Sequence, residues 1–232
     1  MAKTLLLIIS FIVFCTVTSV SAQDDSSTNQ YTEKIRGSRF IPYPNYTGSP
    51  FLNDKFLLGE IELLDGTRIG NIGLNYGTYR DELIYYNTNI STQIVIDKNS
   101  LNGFSFIDKT GRKRVFRRQF FTGYFRGDCF FELLSEGKNS LLVYRKTNLE
   151  ANSAYYSKTG MAYMPTYVYY IFSPQKGYDP VKISRKSLLS KFCKADQKLI
   201  KKTLRKNGVF ISDEMTFVKA WNLINELGLE PI

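Results

Sequence analysis

Residues 56–76 read FLLGEIELLDGTRIGNIGLNY. Asp65-Gly66 at the centre is a strong hairpin signal, because a two-residue type I′ turn needs positive φ at both central positions. Pairing outward from that turn sets Leu63 opposite Arg68, Ile61 opposite Gly70, Gly59 opposite Ile72 and Leu57 opposite Leu74. Strand side chains alternate between faces, so Leu57, Ile61, Leu63, Ile72 and Leu74 share one side. Glu60 and Glu62 take the other, with Glu62 opposite Ile69. A slip of one residue would bury the glutamates, so turn chemistry and apolar pattern agree. The stretch predicts a half-buried antiparallel sheet.

Downstream, the runs Glu82 to Asn87, Ile90 to Asp97, Leu101 to Ile107 and Arg112 to Phe121 follow one another across short polar turns. Asp128 to Leu134 and Ser140 to Lys146 flank Glu136-Gly137-Lys138-Asn139. Strands at this spacing read as a meander. Met161 to Phe172 (MAYMPTYVYYIF) is aromatic and β-branched on both faces, which predicts a buried strand interrupted at Pro165. Upstream, Tyr31 to Pro50 carries Pro42, Pro44 and Pro50 among aromatics, and reads as an extended segment lying against the sheet.

From Ser184 the period changes. Ser184 can cap a short helix bearing Leu188, Leu189 and Phe192. Residues Lys198 to Lys206 read as a second helix, with Leu199, Ile200 and Leu204 on one side and Lys198, Lys201, Lys202, Arg205 and Lys206 spaced three and four apart. Gly208 ends it. Ser212-Asp213-Glu214 opens a third helix whose Phe217, Val218, Trp221 and Ile224 form a stripe before Gly228. The expected class is α+β: an antiparallel, curved β-meander over 31–178, then a small three-helix appendage over 179–232. No internal repeat of fixed length is visible.

The chain opens MAKTLLLIISFIVFCTVTSVSAQDD. Lys3 supplies a positive n-region, Leu5 to Cys15 an apolar h-region, and Val20-Ser21-Ala22 a small-residue cleavage site. The apolar run is short for a bilayer span and no second one follows. The pattern predicts a signal peptide over 1–22, a polar flexible leader over 23–30, and a mature chain without a transmembrane helix. Cys15 lacks the context of a lipoprotein cysteine. The expected location is the periplasm, the outer-membrane periphery or the extracellular space.

The 232 residues hold 31 Lys and Arg against 21 Asp and Glu, and the signal holds one basic and no acidic residue. The mature balance is strongly basic, which favours anionic partners such as lipopolysaccharide, membrane surfaces or nucleic acid. Two cysteines remain, Cys129 and Cys193. In an oxidising compartment they could pair as a disulfide, although a domain of this size does not need the staple.

There is no histidine. That removes Ser-His-Asp and Cys-His catalysis and every His-containing zinc site, and two cysteines cannot make a four-cysteine one. No metal site and no cofactor is expected. No Walker loop, dinucleotide fingerprint or nucleophile elbow appears. Ser-x-x-Lys occurs at Ser135 to Lys138 and Ser173 to Lys176, but the chemistry needs serine at a helix start, and both lie in turns. Asp54, Asp81, Glu82, Asp128 and Glu132 supply carboxylates from which a glycosidase-type pair could be built.

The tract Arg112-Lys113-Arg114-Val115-Phe116-Arg117-Arg118 is the most suggestive local feature. On a strand, Arg112, Arg114 and Arg118 fall on one face, and Lys113 and Arg117 on the other. Flanked by Phe116, Phe120 and Tyr124, it could bind a phosphate-rich glycolipid or nucleic acid. The plainer reading is an edge strand charged against aggregation. The Lys198 to Lys206 stripe could lie on an anionic membrane, or be the solvated face of a docked helix. Arg126-Gly127-Asp128 is ordinary turn chemistry, and the tyrosines of the aromatic tract fit cross-strand packing better than sugar stacking.

The runs TGSPFLNDKFLLGEIELLDGTRIGNIGLNY and TYRDELIYY, with the tail KISRKSLLSKFCKADQKLIKKTLRKNG and FVKAWNLINEL, resemble an uncharacterised family of exported Gram-negative bacterial proteins. Those begin with a Gly-Ser-Pro-aromatic-Leu-Asn segment, continue as a β-meander and end in helices. The resemblance covers most of Thr47 to Tyr86 and Lys182 to Leu227. It implies export and this domain plan, and carries no catalytic residue. Where that tail has a proline-acidic turn, this chain has Cys193-Lys194-Ala195 before Asp196.

The leading expectation is an exported, non-catalytic binding or structural module of the cell envelope or secreted space. The alternatives are a polyanion binder using Arg112, Arg114, Arg117 and Arg118, and a carboxylate-dependent hydrolase.

Overall fold

The Asp65-Gly66 turn forms, but with three loop residues in place of two. Gly66 N–H donates to the Leu63 carbonyl and Leu63 N–H to the Thr67 carbonyl, and only Gly66, at φ +82°, is left-handed. That is a type I turn closed by a left-handed glycine. The ladder therefore starts one residue out of the expected register, Glu62 opposite Arg68 and Ile61 opposite Ile69. An irregularity at Gly70-Asn71, with Asn71 at φ +56°, restores it, so that Gly59 faces Ile72 and Leu57 faces Leu74. The bulge turns Ile69 into the core beside Ile61, Ile72 and Leu74.

The computed structural model describes residues 34–123, 126–152 and 160–232. The expected signal peptide over 1–22 and leader over 23–30 lie outside them. Among the described residues no helix is long and apolar enough to cross a membrane.

Eleven strands form one antiparallel sheet: β1 (Gly37–Arg39), β2 (Leu57–Leu63), β3 (Arg68–Gly77), β4 (Glu82–Asn87), β5 (Thr92–Ile96), β6 (Leu101–Ile107), β7 (Lys113–Phe121), β8 (Gly127–Ser135), β9 (Ser140–Ala151), β10 (Met161–Ser173) and β11 (Gly177–Val181). Their order is β1-β5-β4-β3-β2-β6-β7-β8-β9-β10-β11. Two meanders thus meet at β2–β6. A flat sheet would put β5 and β6 about 19 Å apart, four strand spacings. The connection holds only Asp97 and the 3₁₀ turn Lys98–Ser100, with a reach of roughly 15 Å. The sheet must curl, and it does. Ile35, Ile61, Tyr76, Leu83, Ile96, Phe106 and Phe130 share one core although they come from six strands and the segment before β1.

Three helices follow: α1 (Arg185–Leu189), α2 (Lys194–Lys206) and α3 (Glu214–Glu226). Ser184 caps α1 by accepting from Ser187 N–H. Helix α2 begins four residues before the expected start, at Cys193-Lys194. Asp213 caps α3 in a reciprocal capping box with Thr216. Trp221, Phe217, Ile224, Ile200 and Leu204 pack on Leu141, Val143, Tyr169 and Ile171, so helices and the β8–β11 face share a core. The opposite face of those strands buries Phe131, Tyr144 and Tyr170 together with Phe121 of β7.

One local expectation is corrected and another is met. Strand β10 runs unbroken through Pro165, because β11 pairs only Tyr169 to Ser173 and leaves the Pro165 side of the strand open. The Tyr163 N–H, two residues earlier on that same edge, donates to the Thr47 carbonyl; Pro165, which has no N–H to offer, occupies the gap beyond it. The proline-rich segment does lie against the sheet, through this bond and a parallel bridge between Thr47 and Ala162.

Candidate functional site

Strand β7 is an interior strand, between β6 and β8. It is not a charged edge, so the basic tract must be explained by what its side chains meet. Arg114 lies 2.8 and 2.6 Å from the two carboxylate oxygens of Glu132 on β8, a bidentate pair. Arg145 of β9 donates to the same carboxylate at 2.7 Å and to Glu214 of α3 at 2.8 Å. Arg112 stands 3.8 Å from Glu132 and 3.9 Å from Glu214, and the Tyr169 hydroxyl donates to Glu214 at 2.9 Å. Glu132 is 0% exposed. Burial alone would raise its pKa, but the hydrogen bonds and charges of Arg114 and Arg145 outweigh that and hold it below the usual range. Burial would likewise lower Arg145, and Glu214 and Glu132 reverse that. Three arginines and two glutamates thus bolt β7, β8 and β9 to the start of α3.

On the other face Arg117 donates to Glu62 at 2.9 Å, with Arg68 at 3.4 Å from the same oxygen. The pair reaches over β6 at Gly103, which stands between Glu62 and Arg117 in the ladder. A Cβ at 103 would collide with the Phe116 carbonyl. Arg118 lies 3.5 Å from Asp128. Each of Arg112, Arg114, Arg117 and Arg118 therefore has a carboxylate partner, and the four are divided between two faces of the sheet.

A second polar cluster sits where the sheet curls shut. Asp81, in the β3–β4 turn, holds a left-handed backbone at φ +58° and is 6% exposed. It accepts from the Tyr76 hydroxyl, from Lys98 Nζ at 2.7 Å and from the Phe130 N–H at 3.4 Å. Burial raises its pKa by more than Lys98 and the other donors lower it. Burial, then the Asp81 charge, raise Tyr76 too. Asp81 and Lys98 form one wall of an open groove of about 530 Å³, with Arg36, Ser38, Glu82 and Asp97 along it. Glu82 accepts from the Tyr43 hydroxyl at 3.0 Å, and Arg80 stacks over the Tyr43 ring.

Cys129 and Cys193 are both free thiols and form no disulfide. Cys129 lies within the aromatic face of β8, where burial pushes its thiol up to about 12. Cys193 is exposed at the start of α2 and donates to Asp196. Of the Ser-x-x-Lys pairs, Ser135 donates to Asn222, while Ser173 accepts from the Lys176 N–H within its turn. Among the described residues no group of acidic and sulfur ligands is placed to hold a metal ion. Arg145, Glu214, Tyr76 and Lys98 were not singled out from sequence.

Comparison of the chain with protein-family models, with curated proteins and with solved structures gives no match in any of the three.

Proposed function

We propose that the chain is an exported, non-catalytic binding or structural module of the cell envelope or secreted space, with the Asp81–Lys98 groove as its ligand seat. The observation that supports a seat there is the combination at Asp81: a buried carboxylate on left-handed backbone, paired with a lysine, opening on a groove that carries both signs of charge. Such strain and perturbed ionisation cluster at functional positions. Arg36 and Lys98 facing Asp97 and Glu82 suit a small zwitterionic or anionic ligand. The non-catalytic reading draws on the commitment of the carboxylates, since Glu132, Glu62 and Asp128 each carry an arginine.

NMR shift mapping against a panel of zwitterionic and anionic small molecules tests this. Shifts concentrated at Arg36, Ser38, Asp97 and Lys98, with no turnover, are expected. The hydrolase alternative keeps one observation in its favour, the raised pKa of Asp81 next to Glu82. Turnover of a panel compound that disappears in Asp81→Asn would replace the binding reading with that one.

A further inference from the structure

The C-terminal region carries a charge that is largely unpaired, Lys191 with its Asp179 partner excepted. Between Lys182 and Lys206 the chain has ten lysines and arginines and a single acid, Asp196. Helix α2 turns Ile200 and Leu204 into the core. Lys194, Lys198, Lys201, Lys202, Arg205 and Lys206 are all exposed. At 100° per residue Lys198, Lys202, Arg205 and Lys206 lie on the side opposite Ile200 and Leu204, with Lys194 and Lys201 on its flank. None of the six takes part in an ion pair among the described residues. In the other basic element, β7, each arginine is matched by a carboxylate. This one is left bare.

Shortly after it in the chain come two apolar side chains that stay exposed. Phe210, four residues past the helix, is 79% exposed, and Met215, in the first turn of α3, is 77% exposed. Leu199, on α2 itself, is 43% exposed. Exposed Leu or Met is common singly, but an exposed phenylalanine four residues after a basic helix is the composition that suits a lipid–water boundary. The acids close by in the chain are occupied elsewhere: Asp196 accepts from Cys193, Asp213 caps α3, and Glu214 is held by Arg145 and Tyr169.

We infer that the α2 face and the Phe210 loop form a peripheral docking surface for an anionic lipid bilayer. The six cations sit at the headgroups, and Phe210 and Met215 enter the boundary between headgroup and acyl chain. The helix does not insert its own apolar side, since Ile200 and Leu204 belong to the core. Binding therefore needs no unfolding. The charge complementarity favours any polyanion, while the protruding phenylalanine and methionine favour lipid over nucleic acid. The inference is independent of the groove at Asp81 and survives the failure of that reading.

Co-sedimentation of the full chain with vesicles tests it, using phosphatidylcholine alone and phosphatidylcholine with a third phosphatidylglycerol. The N-terminal apolar run contributes equally to every variant, so differences between variants report the C-terminal surface. Binding to the anionic vesicles is expected to be at least tenfold tighter than to the neutral ones, and to weaken with salt. The triple variant Lys201→Ser, Lys202→Ser, Arg205→Ser is expected to lose most of that preference, and Phe210→Ser to weaken binding several-fold while keeping the salt dependence. All four positions are exposed, and an unchanged unfolding midpoint followed by Trp221 fluorescence shows that the fold is intact. Equal binding of parent and triple variant to anionic vesicles overturns the inference. So does tighter binding to a DNA oligonucleotide that is indifferent to Phe210→Ser, which would assign the face to nucleic acid.

Discussion

Glu132 is fully buried and hydrogen-bonded by two arginines, with a third at 3.8 Å. Removing one partner of such a group leaves the others uncompensated, at a cost of about 3–5 kcal/mol. Glu132→Gln should lower stability by that order in urea unfolding. Its folded pKa lies below the unfolded value, so the stabilisation is present above the normal glutamate range and is lost as pH falls through the folded pKa. Asp81 has the opposite sign. Its folded pKa is raised, so its contribution is lost as pH rises from the unfolded aspartate value through the folded one. Asp81→Asn tolerates the left-handed backbone and should remove that decline. The difference between parent and variant stabilities, measured from mildly acid to neutral pH, should grow with pH. A flat difference would mean that Asp81 is ionised throughout. Glu132 and Arg145 had a signal in the sequence that periodicity alone passes over. Phe130, Glu132 and Leu134 share one strand face, as do Leu141, Val143 and Arg145, and each run puts a charge on an apolar side. Opposite charges at inward positions of consecutive strands announce a buried pair. Asp81 gave no such sign, since its burial depends on a curl that no local pattern encodes.

Single elements were legible where a turn and a period coincided. The Asp65-Gly66 hairpin, β4, β6 and the stripe of α3 all fall where turn residues and apolar spacing agree. The misreadings have local causes. Asp-Gly serves a three-residue turn as well as a two-residue one, and the displaced register was recovered only by the Gly70-Asn71 bulge. The basic tract suggested an edge because charges protect edges, yet β7 is interior and its arginines are matched by carboxylates. The middle of β10, beyond the reach of β11, is an open edge, and proline protects it in place of charge. Pro165→Thr should cost only about 0.4–1 kcal/mol through the unfolded chain. It restores an N–H to a strand edge that also shows Met164 and Tyr167. Self-association rising with concentration in sedimentation velocity, with little change in unfolding midpoint, is the expected result. A monomeric variant would show that the gap between Thr47 and β11 is too narrow to accept another strand.

At the scale of the whole molecule, the α+β plan was readable as strands first and helices second, while the meeting of two meanders at β2–β6 was not. Nothing in residues 57–63 marks a second partner 40 residues away. That junction has a kinetic consequence. Every other neighbouring pair except β1–β5 joins strands consecutive in sequence, so each can zip from its own turn. The pairing of Leu63 with Leu101 closes a loop of 38 residues if β2 finds β6 first. If the β2–β5 hairpins form and curl beforehand, the same contact closes only the short connector through Lys98–Ser100. The rate of folding should then depend on the first turn and hardly on the helices. Gly66→Ala, which forces a side chain into left-handed backbone, is expected to slow folding in stopped-flow measurements. Trp221→Ala, which empties the last core to assemble, should leave the folding rate nearly unchanged and speed unfolding. A curl that positions a buried aspartate would thus also set the order in which the chain acquires its shape.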